Sequence, residues 1–436
     1  MVFLSTSSPK STASTACAQD PDFDRRIQVR CFARQDPLGG GSAVRIQYRG
    51  IMKILADENI PYVREAFASL GEVAAVSGRA ISPERVRGTD MLLVRSITKV
   101  NAALLDGSAV RFVATATIGE DHVDKAYLAS RGIAFASAPG SNAGSVCQYV
   151  SAALLRIAER YALDLSRLKL GIVGVGNVGS RVDRAARAMG MTTVLNDPPL
   201  ARQTGDARYR PLDEIFDCDI VTLHVPLTKE GPDATYHLAN DAFFRRLKTG
   251  AIFINSSRGA VADGKAILRA LDDGRLRACV LDVWEGEPDI DVALLERVFI
   301  GTPHIAGYSF DGKVNGTRQI HEAACRFLGV EPGWDATPLL PAPECPRVSV
   351  DGASPSAVRD AVRAVYDIML DDAAMRQLLD APAGDRPRLF DRLRKEYPRR
   401  REFFNTCATV SPSNPAVEAM LAGLGFVVES GGGSLS

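Results

Sequence analysis

Arg258, Glu287 and His304 each follow a short apolar, strand-like run: Phe253-Ile-Asn255, Val280 to Trp284 and Val298-Phe-Ile300. Open α/β sheets place their ligands beyond the carboxyl ends of their strands, so these three side chains are candidates for one active site. A histidine, with an ordinary pKa of about 6.5, suits the task of taking the hydroxyl proton of a secondary alcohol as hydride leaves its carbon. A carboxylate at Glu287 would orient the ring and stabilise the imidazolium that forms. Arg258 would hold a substrate carboxylate through two parallel hydrogen bonds, fixing the alcohol carbon in place. Taken singly, each has a plain structural alternative: a surface cation, a loop turn, a structural histidine. Their order behind a dinucleotide loop is what makes them a set.

That loop is Gly171-Ile-Val-Gly-Val-Gly-Asn-Val-Gly-Ser180, in which Gly174, Gly176 and Gly179 give G-x-G-x-x-G. It stands between a strand-like run, Leu168 to Val173, and a run with helical spacing, Val178 to Met189. The first glycine permits a tight turn, the second lets a pyrophosphate approach the backbone, and the third lets helix and strand pack closely. Asn177 and Val178 complete the turn, and the phosphates meet the positive end of the helix. Asp197, after the apolar run Thr192 to Leu195, places a carboxylate where an adenosine ribose is bound. An acid there repels a 2'-phosphate, so NAD is favoured over NADP.

Lys+Arg and Asp+Glu are both 52 in 436 residues, which removes nucleic acid and anionic membranes as default partners. Eight cysteines without a C-x-x-C pair, and only five histidines, give no metal-ligand spacing and suit a reduced, cytoplasmic protein. No apolar stretch reaches the roughly 18 to 20 residues of a membrane span, and residues 1–51 hold no signal-peptide core.

Residues 1–51, rich in Ser, Thr, Ala, Gly and Arg, are expected to be a disordered extension or a miscalled start. Asp20, Asp22, Asp24 and Asp36 count against a transit peptide. Strand and helix signals then alternate from Met52, with strands at 53–56, 73–76, 91–94, 112–114 and 133–136 and a long helix at 145–163. The nucleotide fold continues through strands at 220–225, 251–255 and 279–283. The predicted α/β organisation has residues 52–145 and 303–335 as a substrate (lid) domain and 146–302 as a Rossmann-type NAD domain. Residues 340–436 read as a separate small α+β unit through the runs 348–350, 357–370, 388–397 and 417–428, with a frayed glycine-rich end.

The chain resembles the D-isomer-specific 2-hydroxyacid dehydrogenases through the glycine loop, His224-Val-Pro-Leu227, Asn255-Ser-Ser-Arg-Gly-Ala260, Leu281-Asp-Val-Trp-Glu-Gly-Glu-Pro288 and Thr302-Pro-His-Ile-Ala-Gly307. Within that family it is similar to the branch that oxidises a 4-phosphorylated four-carbon hydroxy acid. The narrower likeness rests on Lys53-Ile-Leu-Ala-Asp-Glu-Asn59, Val94-Arg-Ser-Ile-Thr-Lys-Val100, Thr115-Ala-Thr-Ile-Gly119, Asp197-Pro-Pro199 and Leu339-Leu-Pro-Ala-Pro-Glu344. The resemblance implies a flavodoxin-like lid domain, catalytic roles for Arg258, Glu287 and His304, and substrate contacts at Ser96, Thr117 and Tyr308. It also implies cofactor contacts at Asp197, Asp282 and Gly307, and a homodimer formed through the C-terminal domain. Val225 departs from the threonine common in this His-x-Pro motif and leaves only a main-chain contact. Arg95 is a further phosphate partner on chemical grounds, with a solvated loop charge as the other reading. The arginines at 386, 388, 392, 394 and 399–401 read as a solvated helix face, or else as a basic face towards a partner's anionic substrate. A phosphoglycerate dehydrogenase would share the catalytic three, and an NADH-sensing binding protein would keep the fold without turnover.

Overall fold

A computed structural model describes residues 51–430; the expectations for residues 1–50 and for the glycine-rich end lie outside it. Five strands, β1 (Met52–Asp57), β2 (Gly71–Val76), β3 (Met91–Val94), β4 (Phe112–Thr115) and β5 (Ala134–Ala136), form a parallel sheet in the order β2-β1-β3-β4-β5. This is the flavodoxin-like order. β3 and β4 are buried along their whole length, because helices cover both faces of a parallel sheet. One cover is the helix Phe310–Leu328, which returns to this sheet late in the chain and packs Ile320 and Ala324 against Ile54, Met91 and Phe112.

The second sheet has six strands: β6 (Lys169–Val173), β7 (Thr192–Asn196), β8 (Ile220–Leu223), β9 (Ala251–Asn255), β10 (Leu276–Leu281) and β11 (Ile300–Gly301). All are parallel, ordered β7-β6-β8-β9-β10-β11. The order reverses between β6 and β8, and the glycine loop leaves β6 at that switch point, where such sheets open a crevice. Val150, Leu154 and Ile157 of the helix Ala143–Tyr161 pack on one face with Val182 of the helix Gly179–Ala188. Phe243, Phe244 and Ile267 cover the other face.

The C-terminal unit differs from expectation in four ways. Its sheet, β12 (Arg347–Val350), β13 (Cys407–Val410) and β14 (Val427–Ser430), is all parallel with helical connections, so the α+β unit is built on α/β crossovers; β13 has no counterpart among the expected strands. The run 357–370 falls in two helices, Ala357–Val365 and Ile368–Asp380, because Tyr366 is extended and the Asp367 side chain starts the second by accepting from the Met369 amide. The run 417–428 divides at Gly425, whose φ of +104° ends the helix Pro415–Leu424 before β14. The unit is also not separate: Val350, Ala361, Val410 and Leu421 share one core with Val150 and Leu154.

Candidate active site

Each glycine of the loop has the role its position demands. Gly174 has φ +87°, and a Cβ there would lie 2.6 Å from the His224 carbonyl oxygen. A Cβ on Gly179 would come within 2.0 Å of the Gly174 oxygen, so nothing larger lets the helix Gly179–Ala188 start against the turn. Gly176 is exposed and has no atom within 4 Å of its missing Cβ, which leaves open space over the backbone beside the positive helix end. Asn177 and Val178 lie in the same turn, Val178 at the helix start. Asp197 accepts from the Val175 amide at 2.8 Å and from the Leu200 amide at 3.0 Å, one on each oxygen. It ties the loop to the end of β7 and keeps further lone pairs for ribose hydroxyls. Open space for a pyrophosphate and a carboxylate for a ribose together fit NAD.

Asp282, just past β10 and 1% exposed, is what the His304 segment is built on. Its carboxylate accepts from the Thr302 hydroxyl at 2.7 Å and from the amides of Ile305 and Ala306 at 2.7 and 3.0 Å. Its main-chain oxygen accepts from the His304 amide at 2.7 Å. These bonds hold His304 at φ +57°, a left-handed conformation that costs a non-glycine residue on the order of 1 kcal/mol or more. Burial raises the Asp282 carboxyl above its usual range. Glu287 is shifted the other way. Burial acts to raise its carboxyl, but His304, the Trp284 amide and Arg394 together hold it below the usual value. Its two oxygens accept from His304 Nδ1 and from the Trp284 amide, both at 2.7 Å.

Arg258 leaves the end of β9 and crosses the cleft. Its Nη1 donates to the Ser257 oxygen at 2.7 Å, its Nε stands 3.4 Å from Asp121 Oδ2, and its Nη2 would be 2.4 Å from a Cβ on Gly119. Arg258 therefore faces the loop after β4 that carries Thr117, whose hydroxyl donates to the Gly119 oxygen at 3.1 Å and lies 2.7 Å from that of Thr115. Ser96 is exposed and Arg95 half-buried beyond β3. Both line a cavity of about 500 Å³ together with Tyr308, Lys313 and Arg394. Arg258, Glu287 and His304 are outside that lining, and Tyr308, in the same loop as His304, joins the two places. Gly307 lies against the Asn142 side chain, and Val225 packs beside Gly174.

Sequence reasoning missed Lys313; of the arginines it read as a solvated helix face, Arg388, Arg392 and Arg399 are exposed, while Arg386 and Arg394 are half-buried and Arg400 and Arg401 are buried. Arg388, Arg392 and Arg394 line the cavity, and Arg394 Nη2 donates to the Tyr308 hydroxyl at 3.0 Å. Arg400 and Arg401 are only 7% and 8% exposed. Arg401 forks onto Asp311, and Arg400 donates to Ser145 Oγ at 2.6 Å with its guanidinium 4.1 Å over the Tyr366 ring. The spacing of Arg388, Arg392 and Lys395, one helical face, was the signal available. His224, never a candidate, stays neutral because burial pushes its imidazole down to about 3. Among the described residues there is no cluster fit for a metal ion.

Residues 148–306 match the NAD binding domain of the D-isomer specific 2-hydroxyacid dehydrogenases, and residues 339–425 match a domain of unknown function (DUF3410). Erythronate-4-phosphate dehydrogenases of Salmonella typhi and Salmonella newport are 48% identical over 377 residues, covering 86% of this chain and 98% of theirs. Among solved structures, the TT0316 protein of Thermus thermophilus superposes with a TM-score of 0.56 at 28% identity, over 64% of this chain and 98% of that one. A D-lactate dehydrogenase of Aquifex aeolicus, solved with NAD and lactic acid, gives 0.50 at 25% identity, over 64% and 96%.

Proposed function

The chain belongs to the D-isomer specific 2-hydroxyacid dehydrogenase family, and we propose that it oxidises 4-phospho-D-erythronate to 2-oxo-3-hydroxy-4-phosphobutanoate, the activity its erythronate-4-phosphate dehydrogenase relatives are named for and a step towards pyridoxal 5'-phosphate. The observation that carries the chemistry is the 2.7 Å contact between His304 Nδ1 and Glu287 Oε2. An ionised carboxylate only accepts, so Nδ1 keeps its hydrogen and Nε2 presents a lone pair. His304 Nε2 takes the proton of the substrate's C2 hydroxyl, and in the reverse direction it returns the proton to the carbonyl oxygen. Glu287 faces the imidazolium and lowers its energy. Arg258 holds the C1 carboxylate, and Ser96, Thr117 and Tyr308 fix the remainder of the substrate, with Arg95 at the phosphate. NAD, when bound, supplies the hydride acceptor. Gly174, Gly176, Asn177, Val178, Gly179 and Asp197 would hold it, with Val225 and Gly307 giving main-chain contacts and Asp282 supporting the nicotinamide side through the His304 segment.

The chain acts as a homodimer built through its C-terminal unit, a reading supported by exposed apolar residues there, Leu370, Phe404 and Val427. The six described cysteines are unpaired, which suits the cytoplasm. Among the described residues no helix is long and apolar enough to cross a membrane. The test is a panel of hydroxy acids followed by nicotinamide absorbance. Phosphoerythronate should give the highest kcat/KM, and faster turnover of glycerate 3-phosphate or of an unphosphorylated acid would sink the proposal.

A further inference from the structure

We propose that Lys313 and Arg394 receive the substrate's terminal phosphoryl group, so that the C-terminal unit supplies, within one subunit, a residue that makes the enzyme prefer a phosphorylated acid. This rests on the hydroxy-acid oxidation proposed above and extends it to residues outside the dehydrogenase fold.

The two cations bracket Tyr308. Lys313, in the first turn of the helix Phe310–Leu328, has its Nζ 4.6 Å from the Tyr308 ring centre. Arg394, in the last turn of the helix Arg386–Lys395, bonds the Tyr308 hydroxyl at 3.0 Å with its guanidinium carbon 5.8 Å from the same ring. Both reach the cavity that Arg95 and Ser96 line from the opposite sheet. Tyr308 follows His304 by one turn of loop, so this cluster adjoins the place where the proton moves.

Of the cations at the cavity, Lys313 is the one left without a counter-charge among the described residues. Arg79 on the cavity rim is 3.0 Å from Asp391, and Arg388 is paired with Asp385. Lys313 has no carboxylate within ion-pair distance among the described residues, and the charges that act on it are those of Arg95 and Arg400. Burial, with repulsion from those two guanidiniums, pushes its ammonium down to about 8. Arg394 feels Glu287 and Asp391 but bonds only Tyr308, and its Nε is buried without a partner. Cations taken out of water without a counter-charge are costly, and a bound dianion removes that cost. With Arg95 across the same cavity, Lys313 and Arg394 make three nitrogen-bearing groups for the three peripheral oxygens of a phosphate monoester.

The arrangement sorts the two anionic ends of the substrate. Arg258 takes the carboxylate beside His304, while the Lys313–Arg394 cluster takes a phosphate farther along the cleft. An unphosphorylated hydroxy acid satisfies only the first and leaves the second desolvated and unpaired, which is how a site rejects an analogue lacking a group.

The experiment uses the full chain and its Lys313→Met and Arg394→Met variants, assayed with phosphoerythronate, erythronate, glycerate 3-phosphate and glycerate, with inorganic phosphate as a competitive inhibitor. Each variant should lose roughly 10- to 100-fold in kcat/KM for the phosphorylated acids, chiefly through KM, in keeping with a lost hydrogen bond to a charged group. The loss on the unphosphorylated acids should be smaller, so that the ratio of phosphorylated to unphosphorylated kcat/KM falls about tenfold or more, and inhibition by phosphate should weaken in parallel. NADH binding, read by fluorescence, reports folding. Should a methionine variant fail that control, Lys313→Gln and Arg394→Lys decide the matter by the same ratio. Equal losses on phosphorylated and unphosphorylated acids, or an unchanged preference, overturn the proposal. A wild type that favours glycerate 3-phosphate would defeat the substrate named above while leaving this site to stand or fall by the variants.

Discussion

Replacing Glu287 by glutamine probes the dyad with little change of shape. The carboxylate accepts from His304 Nδ1 and from the Trp284 amide, each at 2.7 Å. A carboxamide has one acceptor oxygen, so one of these donors must face an NH2 group. The larger loss comes as the proton reaches His304 and the carboxylate faces a cation. Two unit charges about 4 Å apart attract by about 4 kcal/mol at an effective dielectric constant of about 20. The His304 and Glu287 side chains are 32% and 18% exposed, so screening leaves roughly half of this, about 2 kcal/mol. Exchanging a charge-assisted hydrogen bond for a neutral one removes about 1 kcal/mol more. At about 1.4 kcal/mol per factor of ten, oxidation slows roughly 10²-fold. Rapid mixing of enzyme, NAD and phosphoerythronate, followed through the first turnover, reads this step before product release can hide it. KM should stay within about threefold, because Glu287 touches His304 and not the substrate. A first-turnover rate within about threefold of the wild type, or a loss confined to KM, would refute the reasoning.

Substituting His304 by asparagine should slow turnover by about 10² to 10⁴ with NADH binding intact, and an unchanged rate removes it from the mechanism. Gly176→Val enters open space, so the variant should melt like the wild type yet lose NADH binding; Gly179→Ala, whose Cβ would be 2.0 Å from the Gly174 oxygen, should lower the melting temperature itself. Arg401→Ala leaves Asp311 buried without its cation and should cost about 3–5 kcal/mol in urea unfolding. Because the folded Glu287 carboxyl is held below its ordinary value, its contribution to stability is present above about pH 4.3 and lost as pH falls through the depressed value. The stability gap between wild type and Glu287→Gln should therefore be flat near neutrality and close below about pH 4, as denaturant midpoints across pH would show.

Strands that are buried on both faces were legible to the residue: Met91–Val94 and Ala251–Asn255 are continuous apolar runs because helices cover both sides. β13 was not, since Cys407–Val410 alternates half-buried and buried positions over only four residues. The proposed catalytic three could be gathered as candidates because each follows a strand in a sheet with a dinucleotide loop at its switch point. Lys313 was not, and Arg394 was read only within a run of arginines as solvated or substrate-facing, because nothing local marks a cation that will be half-buried. What buries them is Tyr308, together with a helix from the C-terminal unit, and that meeting exists only after folding. Asp282 was legible as a residue of the cofactor region, but its bonds to Thr302, Ile305 and Ala306 are tertiary.

The segment Arg400-Arg401-Glu402 gives the C-terminal unit a hold on the cleft itself. Arg400 donates to Ser145 Oγ at 2.6 Å, in the first turn of the helix Ala143–Tyr161, and Ser145 in turn donates to the Ala306 oxygen and accepts from the Ser309 amide. Glu402 accepts from the Ser309 hydroxyl at 2.7 Å, and Asp311, in the first turn of the helix Phe310–Leu328, accepts from both Arg401 and the Glu402 amide. The two helices that pass between the sheets thus begin in one buried polar network. Apolar residues of the same volume would often stabilise a core as well as such a charged pair does. Its directional bonds instead fix where both helices start. The C-terminal unit is thereby tied to the first turns of both helices through Ser145 and Asp311.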